Sequence, residues 1–179
     1  AADVSQARGQ WQAADAILKY CFDDKWNDNT TIIEIGPGNA LLAKTLFDRH
    51  SISRYVLVDG PRQLDNAKKT LSNYLDRVEM YTPEQISNIT DNFDLFISCH
   101  CLPETPNEYQ EFIFKTFLPR SKKLMIEQTI SSNLGKYVPN VIALKHALED
   151  YFTSYKQWNC NDEFKNLCIR SHQNIYIAK

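Results

Sequence analysis

The sequence predicts an α/β fold, a mostly parallel sheet with helices on both faces, and three observations carry that expectation. Short β-branched apolar runs alternate with longer amphipathic stretches along the chain, the pattern left by βαβ units. A glycine-bearing turn, Gly36-Pro37-Gly38, follows the first such run and opens a helix. A single acid, Asp59, ends the second run, at the edge where open α/β sheets bind their ligands.

Taken in order, residues 5–22 read as a helix, with Trp11, Ala14, Ile17, Leu18 and Cys21 at helical spacing and Ser5 as its N-cap. A polar loop over 24–29 leads to a buried strand, Thr31–Ile35. After the Gly36–Asn39 turn, residues 40–49 form a helix that presents Leu41, Leu42 and Leu46 together. Tyr55–Val58 is the second strand, and Pro61 starts a helix reaching about Leu75, because a missing N–H costs nothing in a first turn. Arg77–Tyr81 is a short third strand, followed by a helical turn over 83–90. Phe93–Ser98 is the fourth strand, Asn107–Phe117 a helix stopped by Pro119, and Lys123–Glu127 the fifth strand. A loop over 129–139 precedes a helix at Val141–Glu149. Two late strand-like runs, Tyr151–Trp158 and Leu167–Ala178, have no long helix between them and suggest an antiparallel closing pair.

The 179 residues suit a single domain, 1–179, with 1–30 as an N-terminal helix and lid-like segment; a chain this long builds a core without staples. Net charge is −2 with both signs interspersed, so no basic surface points to a nucleic-acid partner. The five cysteines have no regular spacing, which fits a reducing, cytoplasmic setting better than a disulfide framework. No apolar run approaches the roughly 20 residues that span a bilayer, and residues 1–20 are amphipathic and charged rather than signal-like. Because the sequence begins at Ala1, other domains of a longer chain are among the expected partners.

The strongest local signal is Glu34-Ile35-Gly36-Pro37-Gly38-Asn39-Ala40, between a strand and a helix. Glycines there let the backbone turn sharply and come close to a ligand. Measured against the dinucleotide fingerprint G-x-G-x-x-G, Leu41 stands where the third glycine belongs, so the match to a nicotinamide site is poor. Asp59 lies 25 residues after Glu34, where a carboxylate accepts hydrogen bonds from a ribose 2′-OH and 3′-OH. Taken alone, Asp59 could equally serve the helix that Pro61 opens; the pair at this spacing is what favours a nucleoside.

E-x-G-x-G followed by an acid at the end of strand two resembles the class I S-adenosylmethionine-dependent methyltransferases, as does Phe93-Asp94-Leu95-Phe96-Ile97-Ser98 as a fourth strand with a leading Asp. Arg54–Asp59 and the Ser98–Glu104 loop are further similar to bacterial sugar O-methyltransferases. The resemblance spans about residues 30–179 and implies a Rossmann-like seven-stranded sheet with an antiparallel last strand. It implies S-adenosylmethionine as cofactor, with Glu34, Gly36, Pro37, Gly38 and Asn39 under its methionine half and Asp59, followed by Gly60 and Pro61, at its ribose. Adenine would meet the segment after strand three, Tyr81-Thr82-Pro83-Glu84, although the Asp that the family often places at Thr82 or its neighbour is missing. Ser98 and Cys99 would complete the cofactor site.

The loop Ser98-Cys99-His100-Cys101-Leu102-Pro103-Glu104 lies at the same edge, next to where a methyl group would be presented. Methyl transfer to a hydroxyl needs alignment and a base, so His100 and Glu104 are the catalytic candidates. Each has a plainer role open to it, a hydrogen-bonded loop histidine and an acid serving the next helix. Adjacent Cys99, His100 and Cys101 cannot easily converge on one ion; no metal is expected, and the two cysteines read as small packing residues. Glu127-Gln128-Thr129 is a further polar cluster at this edge, while His146 and His172 read as structural. Trp11, Gln12 and Tyr20 are candidates for a lid, and Arg8 for the methionine carboxylate. The expected function is methyl transfer from S-adenosylmethionine to a hydroxyl of a small molecule or sugar. A non-catalytic methyltransferase-like module and an NAD-dependent oxidoreductase are the alternatives.

Overall fold

The computed structural model describes residues 10–99, 101–129, 139–159 and 173–179. Seven strands, Thr30–Ile35 (β1), Ile52–Val58 (β2), Val78–Tyr81 (β3), Phe93–Cys99 (β4), Ser121–Thr129 (β5), Tyr155–Asn159 (β6) and Gln173–Ala178 (β7), form one sheet in the order β3-β2-β1-β4-β5-β7-β6. β1 to β5 pair in parallel, whereas β7 runs antiparallel to both β5 and β6. The closing pair is therefore as expected, with the last strand inserted between the fifth and the sixth.

Alternation along the central strands builds two cores. Ile32, Tyr55, Leu57, Leu95 and Ile97 face residues 10–16 and their π-helical continuation Ile17–Cys21 (together α1), and Leu41–Arg49 (α2) and Pro61–Thr70 (α3). Ile33, Ile35, Val56, Phe96 and Ile126 face Asn107–Phe117 (α4) and Val141–Tyr151 (α5). Runs such as Thr-Ile-Ile-Glu-Ile are apolar throughout because both faces of a central parallel strand are covered. No helix among the described residues is long and apolar enough to cross a membrane.

Several boundaries differ from expectation. β2 starts three residues early because Ile52 is itself buried at the foot of the sheet. α3 stops at Thr70 rather than near Leu75: the chain turns, with the Tyr74 N–H donating to the Leu71 carbonyl at 2.8 Å. That turn stacks Tyr74 on Phe47, ring centroids 4.6 Å apart. α5 runs on to Tyr151, so the late strand begins only at Tyr155. Pro61 occupies the first turn of α3, as its fixed φ favours. Ser5 and the stretches 130–138 and 160–172 lie outside the described residues.

The leading Asp94 of β4 has a structural task at the amino edge. One oxygen accepts from the Thr31 N–H at 2.9 Å and the Thr31 hydroxyl at 3.1 Å, and the other from Lys122 at 2.8 Å. It thereby ties β1, β4 and β5 at their common start. Asp94→Ala leaves the Thr31 N–H without its acceptor and should cost about 2–3 kcal/mol of stability, read from urea midpoints at constant m.

Candidate functional site

The carboxyl ends of β1, β2 and β4 lie side by side at one edge of the sheet, where two turns meet. The first, Gly36–Ala40, takes left-handed backbone three times, at Gly36 (φ 74), Gly38 (φ 56) and Ala40 (φ 58). It closes with the Ala40 N–H on the Pro37 carbonyl at 2.8 Å and leaves Asn39 exposed at its tip. Ala40 pays no exposure penalty for its unusual φ, since its methyl is fully buried beneath α2. The second turn is Asp59-Gly60, which leads into α3 at Pro61.

Asp59 joins the two turns. Its Oδ2 accepts from the Gly38 N–H at 2.9 Å and its Oδ1 from the Gly60 N–H at 2.7 Å. Main-chain bonds continue the sheet beneath it, from Gly36 N–H to the Val58 carbonyl at 2.8 Å and from Asp59 N–H to the Tyr81 carbonyl at 3.2 Å. A carboxylate offers about four lone-pair sites, so acceptor capacity remains on Asp59 after these two bonds.

The two glycines have different tasks. A β-carbon on Gly36 would collide with Cβ and Sγ of Cys101, whereas one on Gly38 would meet nothing within 4 Å. Gly36 gives room to the loop after β4, and Gly38 faces open space. Cys101 does act as a packing residue, but it packs into the Gly36–Ala40 turn, a long-range contact that spacing in the sequence does not reveal.

Glu34 is buried within β1 and accepts from the Tyr55 hydroxyl at 2.7 Å. Burial pushes its carboxyl up to about 7, Asp59 pushes the same way, and the Tyr55 hydrogen bond opposes them. Next to it, burial raises the Cys99 thiol well above its ordinary value, with Glu127 and Glu34 adding to the effect. Burial likewise pushes Cys101 up to about 12, reinforced by Asp59, Glu104 and Glu34. The edge is thus weighted with acids, and its thiols stay protonated.

The remaining candidates are placed as follows. Ser98 is buried and donates to the Ile35 carbonyl at 3.1 Å, tying β4 to the end of β1. Tyr81 donates its hydroxyl to Glu79 at 2.9 Å, back along its own strand. The Thr82 N–H donates to Gln85 Oε1 at 2.9 Å and starts the turn Pro83–Asn88. Ser98, Tyr81 and the main-chain N–H of Thr82 thus each hold a hydrogen bond within the protein. Glu104 is exposed on the turn Leu102–Glu104. His100, His172 and Arg8 lie outside the described residues. Trp11 sits under the Arg49 guanidinium, 5.2 Å from its ring centroid, at the far end of α2, and Tyr20 packs on Trp158 at 5.3 Å. Two cavities lie elsewhere, one of about 320 Å³ between α4 and α5 and one of about 210 Å³ where α1 meets β6 and β7.

One residue at this edge has no signal in the sequence. Tyr109, in the first turn of α4, is half-buried. Burial raises its hydroxyl, and Cys101, Asp59 and Glu84, from three different loops, raise it further.

No family model matches the sequence, and neither does any curated protein. Solved structures do match. The methyltransferase domain of bacterial CtHen1-C superposes with a TM-score of 0.71 at 15% identity, over 98% of this chain and 98% of that one. Magnesium protoporphyrin IX methyltransferase from Synechocystis PCC 6803, with bound SAH, gives a TM-score of 0.66 at 13% identity over 96% and 84%. An O-methyltransferase family protein from Burkholderia thailandensis gives 0.64 at 15% over 93% of this chain and 57% of its own. At these identities the likeness is one of fold. The chain has the Rossmann-like fold of class I S-adenosylmethionine-dependent methyltransferases.

Two predictions follow from the packing of this edge. Gly38→Ala should cost only its left-handed backbone, about 1–2 kcal/mol, whereas Gly36→Ala adds an overpacking cost of about 1–3 kcal/mol. Combining Gly36→Ala with Cys101→Gly should recover at least about 1 kcal/mol over additivity, measured as a double-mutant cycle in urea. Glu34 sets a pH dependence. The folded state holds its proton up to about pH 7 and the unfolded chain only to about 4.5, so stability falls as pH rises through that window. The loss should be about 2–3 kcal/mol, and Glu34→Gln should abolish that part of the slope in unfolding curves at pH 5 and 8.

Proposed function

We propose that the chain binds S-adenosylmethionine in the crevice between β1, β2 and β4 and transfers its methyl group to a hydroxyl of a small molecule or sugar. The observation that carries this reading is Asp59 beside the open face of Gly38, at the carboxyl edge of a sheet in this order. When bound, the cofactor supplies a methyl group already activated on positively charged sulfur. Asp59 accepts from the ribose hydroxyls with its remaining lone pairs. The Gly36–Ala40 turn gives main chain close access at Gly38, with Pro37 and Asn39 shaping its rim, while Gly60 and Pro61 start α3 beside the ribose. The acid-weighted edge, with Glu34, Asp59 and Glu104 all acting on Cys101, suits a cationic ligand. Glu34 answers the cation from within β1, and Ser98 and Cys99 hold the strand end on which the methyl-bearing centre rests. His100 and Glu104 are assigned to the acceptor, to orient its hydroxyl and take its proton. The hydroxyl acceptor is supported by the O-methyltransferase among the matching structures.

A second reading, a module that binds the cofactor without turnover, is favoured by one observation: both Asp59 oxygens already hold main-chain N–H groups, as a purely structural clamp would. Calorimetric titration with S-adenosylhomocysteine tests the binding step; absence of heat at high micromolar ligand would sink both readings. Asp59→Ala should weaken that binding by about 1.5–3 kcal/mol, the worth of hydrogen bonds to a charged group. Release of labelled methyl to hydroxyl acceptors distinguishes the enzyme from the module.

A further inference from the structure

We propose that the cavity of about 210 Å³ between α1 and the edge strands β6 and β7 is a binding site for a small aromatic anion, a single ring that carries a carboxylate. The site is separate from the nucleoside crevice and stands independently of the cofactor-binding reading above.

Strand register builds one wall of the cavity and α1 the other. Lys156 lies opposite Ile177 and Trp158 opposite Ile175, so all four share the face of the sheet that α1 covers. Ile177 is buried there and gives the cavity an apolar base. From the other side come Lys19 and Tyr20 of α1, and Asp23 of the turn after it. The half-buried rings of Tyr20 and Trp158 meet with centroids 5.3 Å apart at 52°. Lys179, directly after β7, also lines the space. β6 stands four strands from β1 in the sheet order, roughly 19 Å at the usual strand spacing. A molecule in this cavity is therefore out of reach of the Gly36–Ala40 turn.

Charge and shape select the occupant. Three lysines and one acid line the cavity in a chain of net charge −2, so the positive excess is local and favours an anion. The acid is already engaged, with Lys179 Nζ on Asp23 at 2.6 Å. That hydrogen bond holds the Asp23 carboxyl below its ordinary range, and the charges of Lys179, Lys123 and Lys25 add to it. An ammonium has three donors, so Lys179 keeps donors to offer. The Lys19 ammonium lies 4.9 Å from the centroid of the Tyr20 ring, which puts charge and aromatic wall within reach of one small molecule. Two rings tilted at 52° form a corner where a flat ligand stacks on one and meets the other edge-on. Close-packed interiors leave few voids larger than a water. This one has the share of about seven waters, which suits one ring with its carboxylate.

The test titrates the isotope-labelled full chain with benzoate and follows the indole N–H signals of its three tryptophans by NMR. Trp26 holds the Ser51 carbonyl at 2.8 Å and Trp11 sits by Arg49; neither lines the cavity. A saturable shift at Trp158 alone is the expected result. Benzamide, the same shape without charge, should bind at least ~5-fold more weakly. Acetate, the charge without the ring, should leave Trp158 in place. Lys156→Gln should weaken benzoate by ~3-fold and leave benzamide unchanged, and adding Lys19→Gln should bring the loss to ~10-fold. Both lysines are exposed, and matching urea midpoints confirm that the variants fold. The inference is overturned if Trp158 shows no saturable shift up to about 10 mM benzoate, where a site of about 1 mM dissociation constant is nearly full. Equal binding of benzamide, an equal shift with acetate, or unchanged benzoate affinity in the double variant would overturn it as well.

Discussion

The two N–H groups that Asp59 holds determine the form of the whole crevice. For Gly38 to donate to a carboxylate at the end of the neighbouring strand, the chain leaving β1 must double back within a few residues, and left-handed backbone at Gly36, Gly38 and Ala40 is how it does so. An L-residue in that conformation costs about 1–2 kcal/mol. At Ala40 the cost is offset by complete burial of the methyl under α2, which in turn fixes where that helix starts. The same bend leaves Gly36 bare on the side where Cys101 arrives, so the loop after β4 docks onto a feature set by the acid after β2.

How much of this was legible in the sequence depends on the range of the interaction. β-branched runs announced the central strands, because strands covered on both faces need apolar residues at every position. The antiparallel end of the sheet was legible because the sequence shows no long helical pattern between the last two strand-like runs. Glu34, the glycines and Asp59 could be placed at one edge because strand ends and the residues that follow them are fixed by register. What stayed hidden depended on tertiary partners. By its spacing Asp59 reads as a ligand acid, and nothing in that spacing shows that main chain takes part of its capacity. The Glu34–Tyr55 bond joins residues 21 apart whose side chains meet only because Tyr55, registered with Ile32, rises along the same face of the sheet.

Tyr109 illustrates the same limit. Its spacing with Ile113 fits an ordinary packing stripe on a helix, and the contact with Phe112 fits it too. Only once the loop after β4 is anchored does the first turn of α4 acquire acidic neighbours from β2 and the post-β3 turn. Tyr81 shows the reverse case. It sits at the end of β3 where a ligand residue belongs, yet Glu79, two residues back on the same face, takes its hydroxyl into a network with Arg54. A period of two brings those side chains together, so this loss could have been anticipated from the strand alone.

The electrostatics of the edge join the fold to its proposed ligand. Burial raises the Glu34 carboxyl to about 7, so at pH below that it carries its proton. A positively charged ligand lodging at Gly38, one strand-end away, favours the ionised carboxylate and draws that proton off. An uncharged nucleoside has no such leverage, because its affinity for the two protonation states is nearly equal. On the proposed reading, the buried acid would discriminate by charge and Asp59 by the sugar, and the Tyr55 hydroxyl, which bonds the ionised form, would lower the cost of the change.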